Sequence, residues 1–216
     1  MTDQTHWPRF FGYGSLVNLA THSYPDPRPA TLKGWRRVWC QAKARPVAFL
    51  SVEPHTSTIH GITAAVPNAD WAALDAREHA YLRRDVSDQF RTATAVYEAN
   101  PALTAPPSTG HPILLSYLDV VIAGFATLGP DGPDHFFQTT TGWGPVLDDR
   151  SDPLYPRAQR LAARTRDIVD AHLKALAVPV QPAENAGLLV DAIKGAGVPA
   201  SVVHDAQGQP NGKPGK

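Results

Sequence analysis

Arg9-Phe10-Phe11-Gly12-Tyr13-Gly14-Ser15-Leu16 is the stretch on which the fold turns. Its aromatic start and paired glycines read as a short strand running into a tight turn, because glycine accepts backbone conformations that end a strand. A strand followed by Gly-x-Gly also opens the dinucleotide-binding folds, but those need a third glycine and a helix. Here Val17 occupies the third-glycine position, and a proline-rich connector, Tyr24-Pro25-Asp26-Pro27-Arg28-Pro29, follows. Ser15 is not in a nucleophile elbow either, since Leu16-Val17 stand where its second glycine belongs. The turn is therefore not a dinucleotide fingerprint.

Working outward, Gly34-Trp35-Arg36-Arg37-Val38-Trp39-Cys40 carries bulky residues, and Val47–Val52 and Ile59–Val66 are β-type runs. The polar stretch Glu53-Pro54-His55-Thr56-Ser57 between them reads as the turn of a hairpin. Val86–Thr92 and Thr94–Glu98 read as two further short strands. Helical period appears three times. Pro67-Asn68-Ala69-Asp70 caps a helix beginning at Trp71. Ile113, Tyr117, Val121 and Phe125 recur at four-residue spacing, and Leu161–Leu176 forms a late amphipathic helix. Strands cluster early without β-α-β regularity, which predicts an α+β fold with a mixed, mostly antiparallel sheet curled into a small barrel with flanking helices. Residues 1–176 read as one domain. Residues 177–216 are Pro-, Gly- and Ala-rich and are expected to be poorly ordered, with Leu188–Ile193 able to form a loose turn of helix.

Composition narrows the function. The chain has 216 residues, 20 Lys+Arg against 20 Asp+Glu, and a formal charge of +0 at pH 7. That balance argues against nucleic acid or an anionic membrane as partner, because both demand a basic surplus. At 43% hydrophobic and 19% charged, the chain is a globular one. Its 16 Gly and 21 Pro predict many turns and short elements rather than a helical bundle. The single cysteine, Cys40, rules out an internal disulfide framework and a cysteine-based zinc site. Met1–Pro8 has no basic n-region or apolar h-region, and no run of about 18 apolar residues occurs. The expectation is a soluble cytoplasmic protein; nothing in the sequence sets its oligomeric state.

Few residues offer chemistry. The Gly12–Leu16 turn can aim backbone N–H groups into an anion-binding concavity, or can be a plain strand exit. On a helix starting near Asp70, Trp71, Leu74, Glu78 and Tyr81 share one apolar face, with Asp75, Arg77 and Arg84 pointing elsewhere or towards the rim. A carboxylate on such a face is costly unless paired or functional, and desolvation raises its pKa, which suits a general acid/base. The alternative for Glu78 is a helix-end salt bridge with Arg83 or Arg84. None of the nine histidines has metal-ligand spacing; His60 and His111 read as structural or surface residues. Cys40 reads as a small buried hydrophobe. The loop from Gly142-Trp143-Gly144 through Asp148-Asp149-Arg150 to Tyr155-Pro156 reads equally as a lid over a site or as packed surface.

Phe11-Gly12-Tyr13-Gly14-Ser15-Leu16, Gly34-Trp-Arg-Arg, Gly61-Ile-Thr-Ala-Ala-Val and Leu74-Asp-Ala-Arg-Glu78-x-x-Tyr81, in this order and spacing, resemble the gamma-glutamylcyclotransferase-like family over roughly residues 9–125. The Tyr-Gly-Ser-Leu form and the Leu-Asp-x-Arg-Glu stretch resemble the glutathione-acting, ChaC-like branch more than the Tyr-Gly-Ser-Asn form of the other branch; Val17-Asn18 and His79-Ala80 depart from the glutathione-acting pattern. The resemblance implies a small closed β-barrel with flanking helices and a small-molecule γ-glutamyl amino acid, peptide or amine as substrate. It implies an intramolecular reaction, as in glutathione metabolism. The free α-amine attacks the side-chain amide carbonyl, releasing 5-oxoproline and an amine, with no metal or organic cofactor. It assigns catalysis to Glu78 and substrate binding to Tyr13, Gly14, Ser15, Leu16, Tyr81 and Tyr117. The alternatives are removal of a γ-glutamyl group from a biosynthetic intermediate by the same chemistry, or a non-catalytic binding protein on this fold.

Overall fold

The computed structural model describes residues 7–42 and 45–196. Strand β1 is Arg9–Gly12, β2 Arg28–Ala42 and β3 Phe49–Ala65; helix α1 is Ala72–Arg77; β4 is Tyr81–Asp85, β5 Thr94–Ala99, β6 Thr104–Ala105 and β7 Ile113–Leu114. Helices α2, Leu115–Ala126, and α3, Gly132–Gln138, follow, then β8, Thr140–Thr141, β9, Val146–Asp148, α4, Ala163–Ala175, β10, Val180–Pro182, and α5, Gly187–Ala196. The main sheet runs β4-β5-β1-β3-β2-β6, with β8 alongside β2; β10-β9-β7 form a small parallel sheet. Most pairs in the main sheet are antiparallel, while β1–β5 and β2–β8 are parallel. The fold is α+β: a curled, antiparallel-rich half-barrel, with helices packed around it.

β1 is central and buried along its whole length. Successive side chains of a strand point to opposite faces, so Phe11 enters the main core with Leu50, Ile59 and Phe125, while Phe10 enters a second cluster with Leu16, Leu74 and Tyr97. Helix α2 closes the first core. Gly124 lets it approach, since a Cβ there would sit 2.6 Å from the Asn18 backbone nitrogen. The segment after the glycine turn, Ser15–Thr21, is two short 3-10 turns held against α2 by Asn18, whose side-chain amide donates to the Val120 carbonyl at 2.9 Å.

Several sequence expectations change. There is no hairpin at Glu53–Ser57. β3 runs straight through, because β2 supplies a partner for both halves, Lys33 opposite Thr58 and Trp35 opposite Pro54. The extra residues bulge opposite Gly34, whose φ of +81° suits glycine. Val86–Thr92 is not a strand: Ser87–Gln89 is a 3-10 turn, started by the Asp85 carboxylate accepting from Ser87 N–H at 2.9 Å. The strand is instead Tyr81–Asp85, in register with buried β5. The strong helix at α2, the late helix at α4 and the Thr94–Glu98 strand within β5 are present; α3 was not foreseen.

The expectation of poor order from residue 177 does not hold for 177–196. β10 pairs with β9, and Ile193 of α5 is fully buried against Val47, Leu114 and Leu147. An apolar stripe in a Gly- and Ala-rich helix is enough once a partner surface exists. Residues 197–216 lie outside the described part of the chain. Among the described residues no helix is long and apolar enough to cross a membrane.

Candidate active site

The glycine turn leaves β1 and delivers its backbone beneath α2. Gly14 is there for space: a Cβ would stand 3.2 Å from the Tyr117 hydroxyl and 3.3 Å from Leu50. Val17 and Asn18 spend their N–H groups on the Gly14 and Ser15 carbonyls, at 2.9 and 3.1 Å. The first amides of a helical turn have no partner inside it; here those belong to Ser15 and Leu16. Arg37, fully buried over the Phe125 and Phe136 rings, donates to the Tyr13 carbonyl at 2.9 Å and fixes the turn from below.

Glu78 arrives by a different route from the expected helical face. α1 ends at Arg77, and Glu78 is its C-cap, its N–H donating to the Leu74 carbonyl. Tyr81 then lies in β4, not on the helix. The carboxylate is paired with Arg77 rather than Arg83 or Arg84: Arg77 Nε stands 3.1 Å from Glu78 Oε1. Arg83 pairs with Asp75 and Arg84 with Glu98. Arg77, placed at the rim by the helical reading, is instead central, with a side chain only 9% exposed. It also donates to the Thr21 carbonyl at 3.1 Å and to Ser15 Oγ at 3.4 Å. Burial pushes the Glu78 pKa up, against the opposing pull of Arg77, Arg45 and Arg157.

Two adjoining spaces meet at Glu78. An inner recess of about 30 Å³ is lined by all seven residues singled out from the sequence, Tyr13, Gly14, Ser15, Leu16, Glu78, Tyr81 and Tyr117, with Phe11, Leu50 and Tyr97. An outer chamber of about 100 Å³ shares Ser15, Glu78, Tyr81 and Tyr117 and adds Arg45, Val47, Phe49, Arg77, Leu114, Tyr155 and Arg157. The tyrosines differ in what they can offer. Tyr13 donates its hydroxyl proton to the Tyr97 carbonyl at 2.6 Å, and Tyr81 to the Leu50 carbonyl at 2.9 Å. Burial raises the pKa of both and of Tyr117, so all three stay neutral phenols. Tyr117 lies edge-on to Trp39 and to Tyr155, which comes from the polar loop flagged in the sequence.

That loop is pinned by Asp149, fully buried, which accepts from Ser116 N–H, Ser116 Oγ–H and Leu154 N–H at 2.8, 2.6 and 2.8 Å. Cys40 is buried and its thiol pKa is pushed up to about 12 by desolvation. Among the described residues no three His, Cys, Asp or Glu side chains converge as a metal site. A buried carboxylate lining the same recess as a glycine turn is an arrangement that can move a proton and, through backbone amides, hold a developing oxyanion.

The family model for gamma-glutamyl cyclotransferase, AIG2-like, matches residues 10–116. Residues 10–116 belong to that family. The cyclotransferase match takes in the glycine turn and Glu78, and it ends one residue before Tyr117. Among solved structures, a gamma-glutamyl cyclotransferase is 12% identical with a TM-score of 0.47, over 76% of this chain and 98% of its own. YkqA from Bacillus subtilis is 17% identical with a TM-score of 0.46, over 62% of this chain and 56% of its own, so the chain spans little more than half of YkqA. Comparison with curated proteins finds no match.

Proposed function

We propose that the chain is a γ-glutamyl cyclotransferase that releases 5-oxoproline and a free amine from a small γ-glutamyl compound. The observation that carries this reading is the meeting of Glu78 with the Gly14–Leu16 backbone in one recess. The γ-glutamyl unit folds into the inner recess. Glu78, as carboxylate, takes a proton from the α-ammonium group. The freed amine attacks the side-chain amide carbonyl carbon and closes a five-membered ring. Negative charge moves to the carbonyl oxygen, where the turn's amides and the Tyr117 hydroxyl are the available donors. As the tetrahedral adduct collapses and the original C–N bond breaks, protonated Glu78 gives its proton to the departing nitrogen; the regenerated carboxylate then takes the second proton from the ring nitrogen and hands it to the released amine, which leaves as an ammonium. The carboxyl group ends as it began, and no water is consumed.

This division of labour fits the residues. Ring closure on a folded substrate carries a large proximity advantage, so the protein needs no nucleophile of its own. The raised pKa of Glu78 makes it a stronger base than an ordinary carboxylate. The test is an assay for 5-oxoproline across glutathione, γ-glutamyl amino acids and γ-glutamyl amines. Release from at least one, abolished in Glu78→Gln with circular dichroism unchanged, is the expected result. A Glu78→Gln protein of undiminished activity overturns the reading.

A further inference from the structure

The chambers on either side of Glu78 differ in charge. The inner recess is bordered by aromatic and aliphatic side chains and backbone, with Glu78 the one carboxyl group among the described residues on its wall. Among the described residues the outer chamber has three arginines on its wall, Arg45, Arg77 and Arg157, and one carboxylate, that of Glu78. Arg77 is taken up by Glu78 and the Ser15–Thr21 turn. Arg45 is different. Its guanidinium lies over the Phe49 ring, 5.3 Å from the centroid, and its Nη2 stands 3.3 Å from His79 Nε2. Among the described residues no carboxylate lies within ion-pair distance of it. The aromatic face and the imidazole hold the group at the chamber wall. A half-buried guanidinium with no carboxylate partner among the described residues is stabilised by an anion from outside.

Resting on the cyclotransferase reading, we infer that Arg45 is a specificity determinant that receives a carboxylate carried by the amine half of the substrate. The geometry follows from the site. Glu78 must lie beside both the attacking and the departing nitrogen, so the cyclising half fills the inner recess and the departing half projects into the outer chamber. A γ-glutamyl amino acid or short peptide places a carboxylate there; a simple γ-glutamyl amine places only carbon. Arg45 therefore selects γ-glutamyl amino acids and peptides over γ-glutamyl amines. A guanidinium matches a carboxylate in a forked, two-bond geometry, which makes such a contact selective as well as strong.

Two unreactive probes separate this inference from the activity. Glutarylalanine and glutaryl ethylamide lack the α-amine, so neither can cyclise, and they differ by one carboxylate. Titration calorimetry on the wild-type protein should show glutarylalanine binding about tenfold tighter or more, the discrimination expected of one charge-assisted pair. In Arg45→Gln the ratio should fall towards one, and Arg45→Lys should restore part of it. Equal affinity for the two probes, no measurable binding of glutarylalanine, or an unchanged ratio in Arg45→Gln overturns the inference. Turnover is judged apart from it, by 5-oxoproline from γ-glutamylalanine and γ-glutamylethylamide. A protein that discriminates the probes but turns over neither compound keeps its carboxylate subsite and loses the cyclotransferase reading.

Discussion

Arg77 and Glu78 are neighbours in the chain and an ion pair across the end of α1, with Arg77 Nε 3.1 Å from Glu78 Oε1 and both side chains largely buried. Because the same guanidinium also holds the Thr21 carbonyl and Ser15 Oγ, one side chain ties the acid to the turn it faces. Arg77 is a positioning residue in this scheme, and its loss has two separable effects. Arg77→Gln should lower kcat/KM by about 10–100-fold, the range for removing hydrogen bonds to a charged group. It should also shift the acid limb of the pH–rate profile upward, because Arg77 holds the Glu78 pKa down against burial. A uniform loss of activity with the acid limb unmoved would assign Arg77 a merely structural part.

How much of this was legible in the sequence depends on whether the residues concerned are consecutive. The glycine turn is local, and the strand running into a tight turn is where the sequence puts it. Glu78 was found through a helical stripe that does not exist at its position; the helix stops at Arg77, where pairing of Tyr81–Asp85 with buried β5 takes over. Trp71, Leu74 and Tyr81 nonetheless meet in one cluster, so the stripe marked the right side of the molecule by the wrong geometry. Arg45, Tyr155 and Arg157 come from separate connections and share no spacing with Glu78, so no periodicity could gather them. Arg77 sits inside the recognised motif, yet a helical wheel turns it away. The polar Glu53–Ser57 stretch looked like a turn because nothing in it reveals that β2 is long enough to pair on both sides.

Glu78 should also leave a mark on stability. Its folded pKa is raised above the ordinary 4.5, so the native state binds more protons than the unfolded chain in the window above that value. Stability attributable to this group is therefore present at low pH and declines as pH rises through its folded pKa. Glu78→Gln lacks that decline. Its melting temperature relative to wild type should rise from pH 4 to pH 7, by differential scanning calorimetry, while activity falls by ~10²–10⁴-fold. A relative melting temperature that is flat across this interval would mean the carboxylate is not desolvated.

The histidines contribute with the opposite sign. His22 and His135 are held neutral, each with a pKa lowered to about 4 chiefly by burial. His22 donates from Nε2 to the Leu16 carbonyl at 2.9 Å and accepts the Tyr24 N–H on Nδ1. His135 stacks on His60 at 3.5 Å, near Arg37, and its buried Nδ1 lacks a partner. Unfolded histidine takes up its proton near pH 6.5, so stability falls as pH drops from there towards 4. His135→Phe keeps the stack and removes one of the two groups. Its denaturation free energy should vary less steeply between pH 6.5 and 4 than that of wild type, and at pH 7 the variant should be no less stable. A slope identical to wild type would show that His135 titrates normally.

Ile193 joins the C-terminal helix to the site. It is fully buried with Val47, Leu114 and Leu147, and Tyr117 and Tyr155 pack on the same cluster. Val47, Leu114, Tyr117 and Tyr155 also line the outer chamber, so α5 backs the wall on which the amine half of a substrate would rest. Ile193→Ala removes buried methyl groups from a close-packed cluster and should cost about 2–4 kcal/mol of unfolding free energy. For a domain of this size that lowers the melting temperature by about 5–15 °C. Because the wall loosens while Glu78 and the glycine turn stay in place, KM should rise more than kcat falls. Truncation after Leu176 should destabilise further, since it strips β10 from β9 as well. A truncated protein that melts with the full-length chain would mean that α5 only rests on the surface, and that Val47 and Leu114 hold the chamber wall without it.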